Sequence, residues 1–196
     1  GLLPGASGVT KMTRHLGLLG AQPYLVEGKT FSPAQAKALG LVHDLVTPGE
    51  RAFDNMREKA LAWIAANPVA QHPWEAKGYK VPGGLPSAPA VAGLLAVAPA
   101  MLKKQTRGLY PAPEAILACM VEGLQVDLDT ALRLESRALT RLMTGTNARA
   151  MINTFFFNLN AIKSGQSRPA AVPRFRPARV GVLGAGMMGA GIAYAQ

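Results

Sequence analysis

Acidic side chains are scarce in this sequence: 11 Asp and Glu stand against 21 Lys and Arg, a formal net charge of +10. Such a surplus attracts polyanions. The cations are scattered, however, with only small groups at Lys103, Lys104 and Arg107 and at Arg174, Arg176 and Arg179. No aromatic residues interleave with the first group and only Phe175 with the second, so nucleic acid is not the expected partner. Cysteine is nearly absent. Cys119 is alone, which excludes an internal disulfide and fits a reducing compartment such as the cytoplasm. Its neighbours Leu117, Ala118 and Met120 mark it as a core thiol rather than a nucleophile. Long apolar runs are missing too. The stretch from Leu85 to Leu102 is broken by Pro86, Pro89 and Pro99, so no membrane span is expected. Gly1 to Gly5 has neither a basic n-region nor an apolar h-region, and no secretory signal is expected.

Chemistry-bearing clusters are equally sparse. His15, His43 and His72 lack metal-ligand spacing, and no metal site is expected. His43 and Asp44 are adjacent; in a strand they would point to opposite faces and could not cooperate. Ser7 between Gly5 and Gly8 fails the G-x-S-x-G pattern, because Val9 stands where the second glycine must be.

What is present is a core. Apolar residues make up 49% of the 196 positions. Gly1 to Gly8 reads as a glycine-rich turn, followed by a short helix over 9–16, punctuation at Gly17 and Gly20, and a helix over 21–27. Ser32-Pro33 is a helix start ending at Gly40. Leu41 to Val46 alternates as a short strand, and a helix over 50–66 carries Phe53, Met56, Ala60, Leu61 and Ile64 at helical spacing. Residues 69–113 form a proline-rich crossing laid on a surface by Trp74, Tyr79 and Tyr110, with a helix over 90–105. Three helices follow. The first starts at Pro113. The second, capped by Asp127 or Asp129, carries Leu128, Leu132, Leu139 and Leu142 on one stripe, with Glu135 at the remaining position. A carboxylate there is expected to be neutralised by a nearby Arg. Asn147 is the expected cap of the third, whose Met151, Ile152, Phe155, Phe156, Leu159 and Ile162 read as a core stripe. Residues 164–177 read as a linker stiffened by Pro169, Pro173 and Pro177.

The most specific signal lies at the end. Val180, Val182 and Leu183 read as a short strand, and Gly184-x-Gly186-x-x-Gly189 turns the chain into a helix beginning near Met187. Each glycine has a job in a dinucleotide fingerprint: a tight turn, close approach of a pyrophosphate, and close packing of helix on strand. The second strand and the acidic residue that complete such a unit lie roughly 20 residues further on, past Gln196, so the sequence reads as cut off.

Two separated stretches then match known families. Gly1-Leu2-Leu3-Pro4-Gly5-Ala6-Ser7-Gly8, with Lys11, Met12 and Arg14, resembles the G-(L/I)-x-P-G-x-G-G segment of enoyl-CoA hydratases (crotonases). Leu25 to Gly28, Ala34 to Ala38 and Gly40-Leu41-Val42 keep that family's rhythm, and residues 114–161 resemble its C-terminal helices. Gly184 to Ala193 resembles the start of 3-hydroxyacyl-CoA dehydrogenases. That order is the order of the multifunctional α-chain family of fatty-acid β-oxidation.

The resemblance implies an α/β chain, mostly helical in this stretch. It would comprise the C-terminal part of a crotonase-like fold (1–68), a crossing and helical subdomain completing it (69–163), a linker (164–177) and the first β-turn-α of an NAD-binding Rossmann domain (178–196). It implies hydration of 2-enoyl-CoA and oxidation of 3-hydroxyacyl-CoA with NAD, acyl-CoA as substrate and a thiolase subunit as partner. Gly184, Gly186, Met187, Met188 and Gly189 would hold the cofactor pyrophosphate. No residue here is catalytic by this resemblance, because both hydratase glutamates lie ahead of Gly1 and the dehydrogenase His–Glu pair beyond Gln196. Ser7 stands where the family has glycine, so a positive φ there would strain the turn. Two other readings are a non-catalytic helical interaction module and a different Rossmann enzyme using FAD or NADP.

Overall fold

Pro111 opens the helix on which the core is built. Proline fits a first helical turn because its missing N–H has no intrahelical acceptor there. In the computed structural model, which describes residues 1–166, 168–172 and 175–195, the helices are α1 (Gly8–Leu25), α2 (Pro33–Ala38), α3 (Ala52–Ala66), α4 (Pro89–Thr106), α5 (Pro111–Gly123), α6 (Leu128–Met143), α7 (Thr146–Met151), α8 (Leu159–Ser164) and α9 (Met187–Ala195). A 3-10 turn at Pro73–Glu75 and a π-helical segment at Ile152–Asn158 complete the set. The chain divides into two units, Gly1–Asn153 and Thr154–Gln196.

In the first unit α1, α5 and α6 pack on one another, with α4 against α5. Val9, Leu18, Ala21 and Leu25 of α1 meet Ile116, Cys119 and Met120 of α5 in one core, joined by Leu124 and Leu142. On α6 the deeply buried positions are Ala131, Glu135 and Leu142, while Leu128, Leu132 and Leu139 are half-buried. Asp127 is the α6 cap, accepting from the Thr130 N–H at 2.9 Å and its hydroxyl at 2.7 Å. Ser32 caps α2 in a reciprocal box with Gln35, and Gly40 follows at φ 70°. Gly17, at φ 74°, breaks the helical geometry inside α1. A Cβ there would overlap the Pro82 carbonyl, so glycine is required where the crossing meets the helix. The crossing is indeed laid on a surface: the Tyr79 hydroxyl donates to the Arg14 carbonyl at 2.6 Å, and Trp74 lies between His15 and His72.

Several sequence expectations fail. No strand occurs among the described residues; Leu41–Val46 and Val180–Leu183 are bends and irregular chain. A strand needs a partner to take its backbone hydrogen bonds, and neither segment has one. Asn147 does not cap the third helix. Gly145 holds that position, and the Asn147 amide donates to the Leu109 carbonyl at 3.3 Å instead. The Phe155–Ile162 stripe is not core, for Phe155, Phe156 and Ile162 are about 60% exposed. Part of the reason is the π-helical segment, whose wider turn takes these side chains off the 3.6-residue period that would line them up. Of the linker residues, Pro173 and Arg174 lie outside the described set. Among the described residues no helix is long and apolar enough to cross a membrane.

Candidate functional site

Two glycine-rich turns each deliver a helix N-terminus, one in each unit. In the first unit Pro4-Gly5-Ala6-Ser7 leads into α1. Ala6 and Ser7 both take positive φ, 54° and 75°. An L-residue in that region costs roughly 1–2 kcal/mol, so the strain foreseen at Ser7 is present. Gly5 packs on α6: a Cβ there would come within 2.6 Å of Leu139 Cδ2. Ser7 gives α1 no side-chain cap. The acceptor comes from far away in sequence. Glu135, 2% exposed, accepts from the Thr10 N–H at 2.8 Å and the Thr10 hydroxyl at 2.7 Å through the same oxygen, Oε2. Among the described residues Glu135 therefore has no arginine partner. A helix N-terminus and a hydroxyl take the place of the expected cation, because the positive end of a helix satisfies a carboxylate as well. Oε1 has no hydrogen-bond partner among the described residues.

Nearby Cys119 is buried, and burial, with the charges of Glu135 and Glu122 behind it, pushes its thiol up to about 11. It stays a neutral core thiol, as its sequence neighbours indicate. His43 and Asp44 do not cooperate. His43 lies on Trp63 with ring centroids 4.5 Å apart, while Asp44 pairs with Lys37 and Lys59. Those two ammonium groups hold the Asp44 carboxyl well below the usual carboxylate range. The N-terminal turn also borders a cavity of about 750 Å³ shared with His15, Trp63 and Trp74, to which no carboxylate contributes.

In the second unit the three fingerprint glycines take three different environments. Gly184 has φ 101°, a conformation that glycine alone adopts without strain. Gly189, one turn into α9, packs on the turn: a Cβ there would overlap the Gly184 carbonyl oxygen, with Val182 Cγ1 3.8 Å away. Gly186 has no heavy atom within 4 Å of where a Cβ would stand. Its backbone is open to an approaching group. Helix α9 starts at Met187, as the spacing predicts, and Met187 and Met188 are largely exposed. The first N–H groups of a helix have no intrahelical acceptor, and together with the dipole they favour an anion. A tight turn, an open backbone and a close helix contact thus coincide in six residues.

This architecture is a helical core followed by such a turn. No protein-family model matches the chain. Relatives do. It is 32% identical over 193 residues to the fatty acid oxidation complex subunit alpha of Shewanella amazonensis, covering 98% of this chain. It is 32% identical over 195 residues to that of Shewanella frigidimarina, and 31% over 207 residues to that of Vibrio cholerae. The chain spans about a quarter, 26%, of the length of these relatives. It is homologous, along nearly its whole length, to one segment of the fatty acid oxidation complex α subunits.

Sequence reasoning missed two features of the first unit. Glu135 was conspicuous as a carboxylate on an apolar stripe, yet its partner Thr10 lies 125 positions away. The cavity beside the N-terminal turn draws on residues from four separate stretches, with no common motif to reveal it.

Proposed function

We propose that the Gly184–Gly189 turn holds the pyrophosphate of NAD, and that the chain is part of a bifunctional β-oxidation enzyme that hydrates 2-enoyl-CoA and oxidises 3-hydroxyacyl-CoA. The observation that carries the cofactor reading is the division of labour among the glycines. Gly184 makes the turn, Gly189 brings the helix onto it, and Gly186 leaves the space a phosphate needs. The residues present fit the group: a side chain at Gly186 would fill the cradle, and the N–H groups of Met187, Met188 and Gly189 stand at the start of α9. Bound NAD would supply the hydride acceptor. This chain's own residues would bind and orient it through charge-assisted hydrogen bonds worth about 1.5–3 kcal/mol each.

The names of the relatives support the pathway, and the word subunit in them supports an assembly, with thiolase as the partner proposed from the resemblance. The crotonase-like and Rossmann assignments are part of the same proposal, as is the absence of hydratase activity from this chain alone. No carboxylate borders the cavity at the N-terminal turn, whereas the hydratases that this stretch resembles handle the catalytic water with two glutamates.

The test is a chimera in which residues 178–195 replace the matching segment of the Shewanella amazonensis α subunit. NAD should bind to it, and Gly186→Val should weaken that binding by about two orders of magnitude or more, the loss of two such hydrogen bonds. The branched side chain would stand where the phosphate approaches. Unchanged affinity in the variant would refute the assignment. Preference for FAD or NADP in the same titration would replace NAD with that cofactor. The 196-residue chain itself should bind NAD only weakly, because Val180–Leu183 has no neighbouring strand to brace the turn.

A further inference from the structure

The cavity beside the N-terminal turn lies wholly within the first unit, and its volume of about 750 Å³ falls within the range of about 300–1,000 Å³ of small-molecule sites. Helix α1 supplies Lys11 and His15, which are four positions apart and share one helical face. His15 is fixed in place, its Nε2 donating to the Leu39 carbonyl at 2.9 Å. Two indole–imidazole pairs also line the cavity. Trp74 stacks on His72, with ring centroids 4.5 Å and planes 13° apart, and an edge contact with His15 ties this pair to α1. Trp63 and His43 form the second pair, also at 4.5 Å.

The charge of the lining is of one sign. Its residues with a formal charge are Lys11 and Lys29, and among the described residues no Asp or Glu joins them. The carboxylates nearest in sequence are engaged elsewhere. Asp44 pairs with Lys37 and Lys59, and Glu75 accepts from the His72 backbone N–H at 2.8 Å. These features select a ligand. Indole and imidazole faces favour a flat aromatic body over a flexible chain, because stacking needs a second π-face. The two ammonium groups favour an anion. A nucleotide fits less well: its ribose hydroxyls are commonly held by an acidic side chain, and none is here, with Gln71 the one amide side chain in the lining. Lys11 stands about one helical turn, roughly 6 Å, from His15. A ring laid on the Trp74–His72 stack therefore brings a carboxylate attached directly to it within reach of the Lys11 ammonium.

We propose that this cavity binds a small aromatic carboxylate, its ring on Trp74 and His72 and its carboxylate at Lys11. The site goes beyond the dinucleotide reading and does not depend on it. Calorimetric titration of 2-naphthoate into the 196-residue chain should show saturable binding at one site. The neutral 2-naphthamide should bind about tenfold more weakly or worse, for want of the charge-assisted contact. Decahydro-2-naphthoate, which keeps the charge and loses the π-face, should bind about tenfold more weakly as well. The chain has two tryptophans and both line the cavity, so both indole N–H signals should shift in a proton–nitrogen correlation spectrum. His72→Ala and Lys11→Gln should keep the wild-type denaturation midpoint, because neither side chain is buried, and each should lose severalfold in affinity. The Lys11→Gln loss should shrink at high salt. Gly186→Val should bind 2-naphthoate normally, which separates this test from that of the cofactor turn. Absence of saturable binding, unshifted indole signals, equal affinity for the decahydro compound, unchanged affinity in either variant, or tighter binding of adenosine monophosphate would each overturn the proposal.

Discussion

The N-termini of α1 and α9 are the same local device in two settings. Both follow a glycine-rich turn with positive φ, and both present N–H groups that the helix itself cannot satisfy. At α1 an internal anion has taken the position: Glu135 accepts from Thr10, and the helix end is sealed in the core. At α9 the turn is exposed, with Met187 and Met188 mostly in solvent and Gly186 clear of every neighbour. One end is filled by the protein's own carboxylate and holds the fold together. The other is exposed, and the proposed cofactor would supply the charge there. A glycine turn into a helix therefore leaves N–H groups without a helical acceptor, and burial decides whether the protein's own carboxylate meets them.

The widest separation between the two should appear on truncation. Glu135→Ala leaves two buried donors on Thr10 unsatisfied, at about 1–3 kcal/mol each, so urea denaturation should show a loss of about 2–6 kcal/mol. Glu135→Gln keeps an acceptor and should lose clearly less. Leu183→Ala, beside the α9 turn and fully exposed, should stay within about 0.5 kcal/mol of wild type. Equal midpoints for Glu135→Ala and Leu183→Ala would mean that the α1 end is not sealed by Glu135.

A smaller effect of opposite sign is expected at the strained residue. Ser7→Gly relieves a φ of 75° and should raise stability by up to about 1 kcal/mol, because glycine's extra unfolded-state freedom offsets part of the relief. A lowered midpoint would show that the Ser7 side chain contributes something its φ does not reveal.

The smallest effect is a null. Cys119 lies against the sealed side and its thiol is pushed up to about 11, so a disulfide reagent at pH 8 should leave the native chain unmodified and react fully once it is unfolded in urea. Rapid native labelling would place Cys119 outside the core that buries Glu135.

Much of this was legible one residue at a time. The Ser32–Gln35 box, the Asp127 cap, the stop at Gly40 and the start of α9 near Met187 all rest on interactions spanning a few positions, which local chemistry specifies. The strain at Ser7 was foreseeable because a non-glycine residue stands in a glycine turn. The expected strands were lost for the converse reason. Alternating Leu41–Val46 and apolar Val180–Leu183 have strand character, but a ladder needs a second chain segment, and the sequence of one segment says nothing about its neighbour. Helical spacing likewise places apolar side chains on one face without saying what covers it. That is why the α5 face is core, while Phe53 of α3 and Phe155 are exposed.

By itself, then, the sequence determined the Ser32 and Asp127 caps, the stop at Gly40, the start of α9 and that Gly184, Gly186 and Gly189 form a turn, because caps, prolines and positive φ act within a few bonds. Only the tertiary structure decided that Glu135 meets Thr10 and not an arginine, and that one glycine turn is sealed while the other stays open. Those outcomes depend on which distant surfaces meet, and packing across 125 positions leaves no local trace.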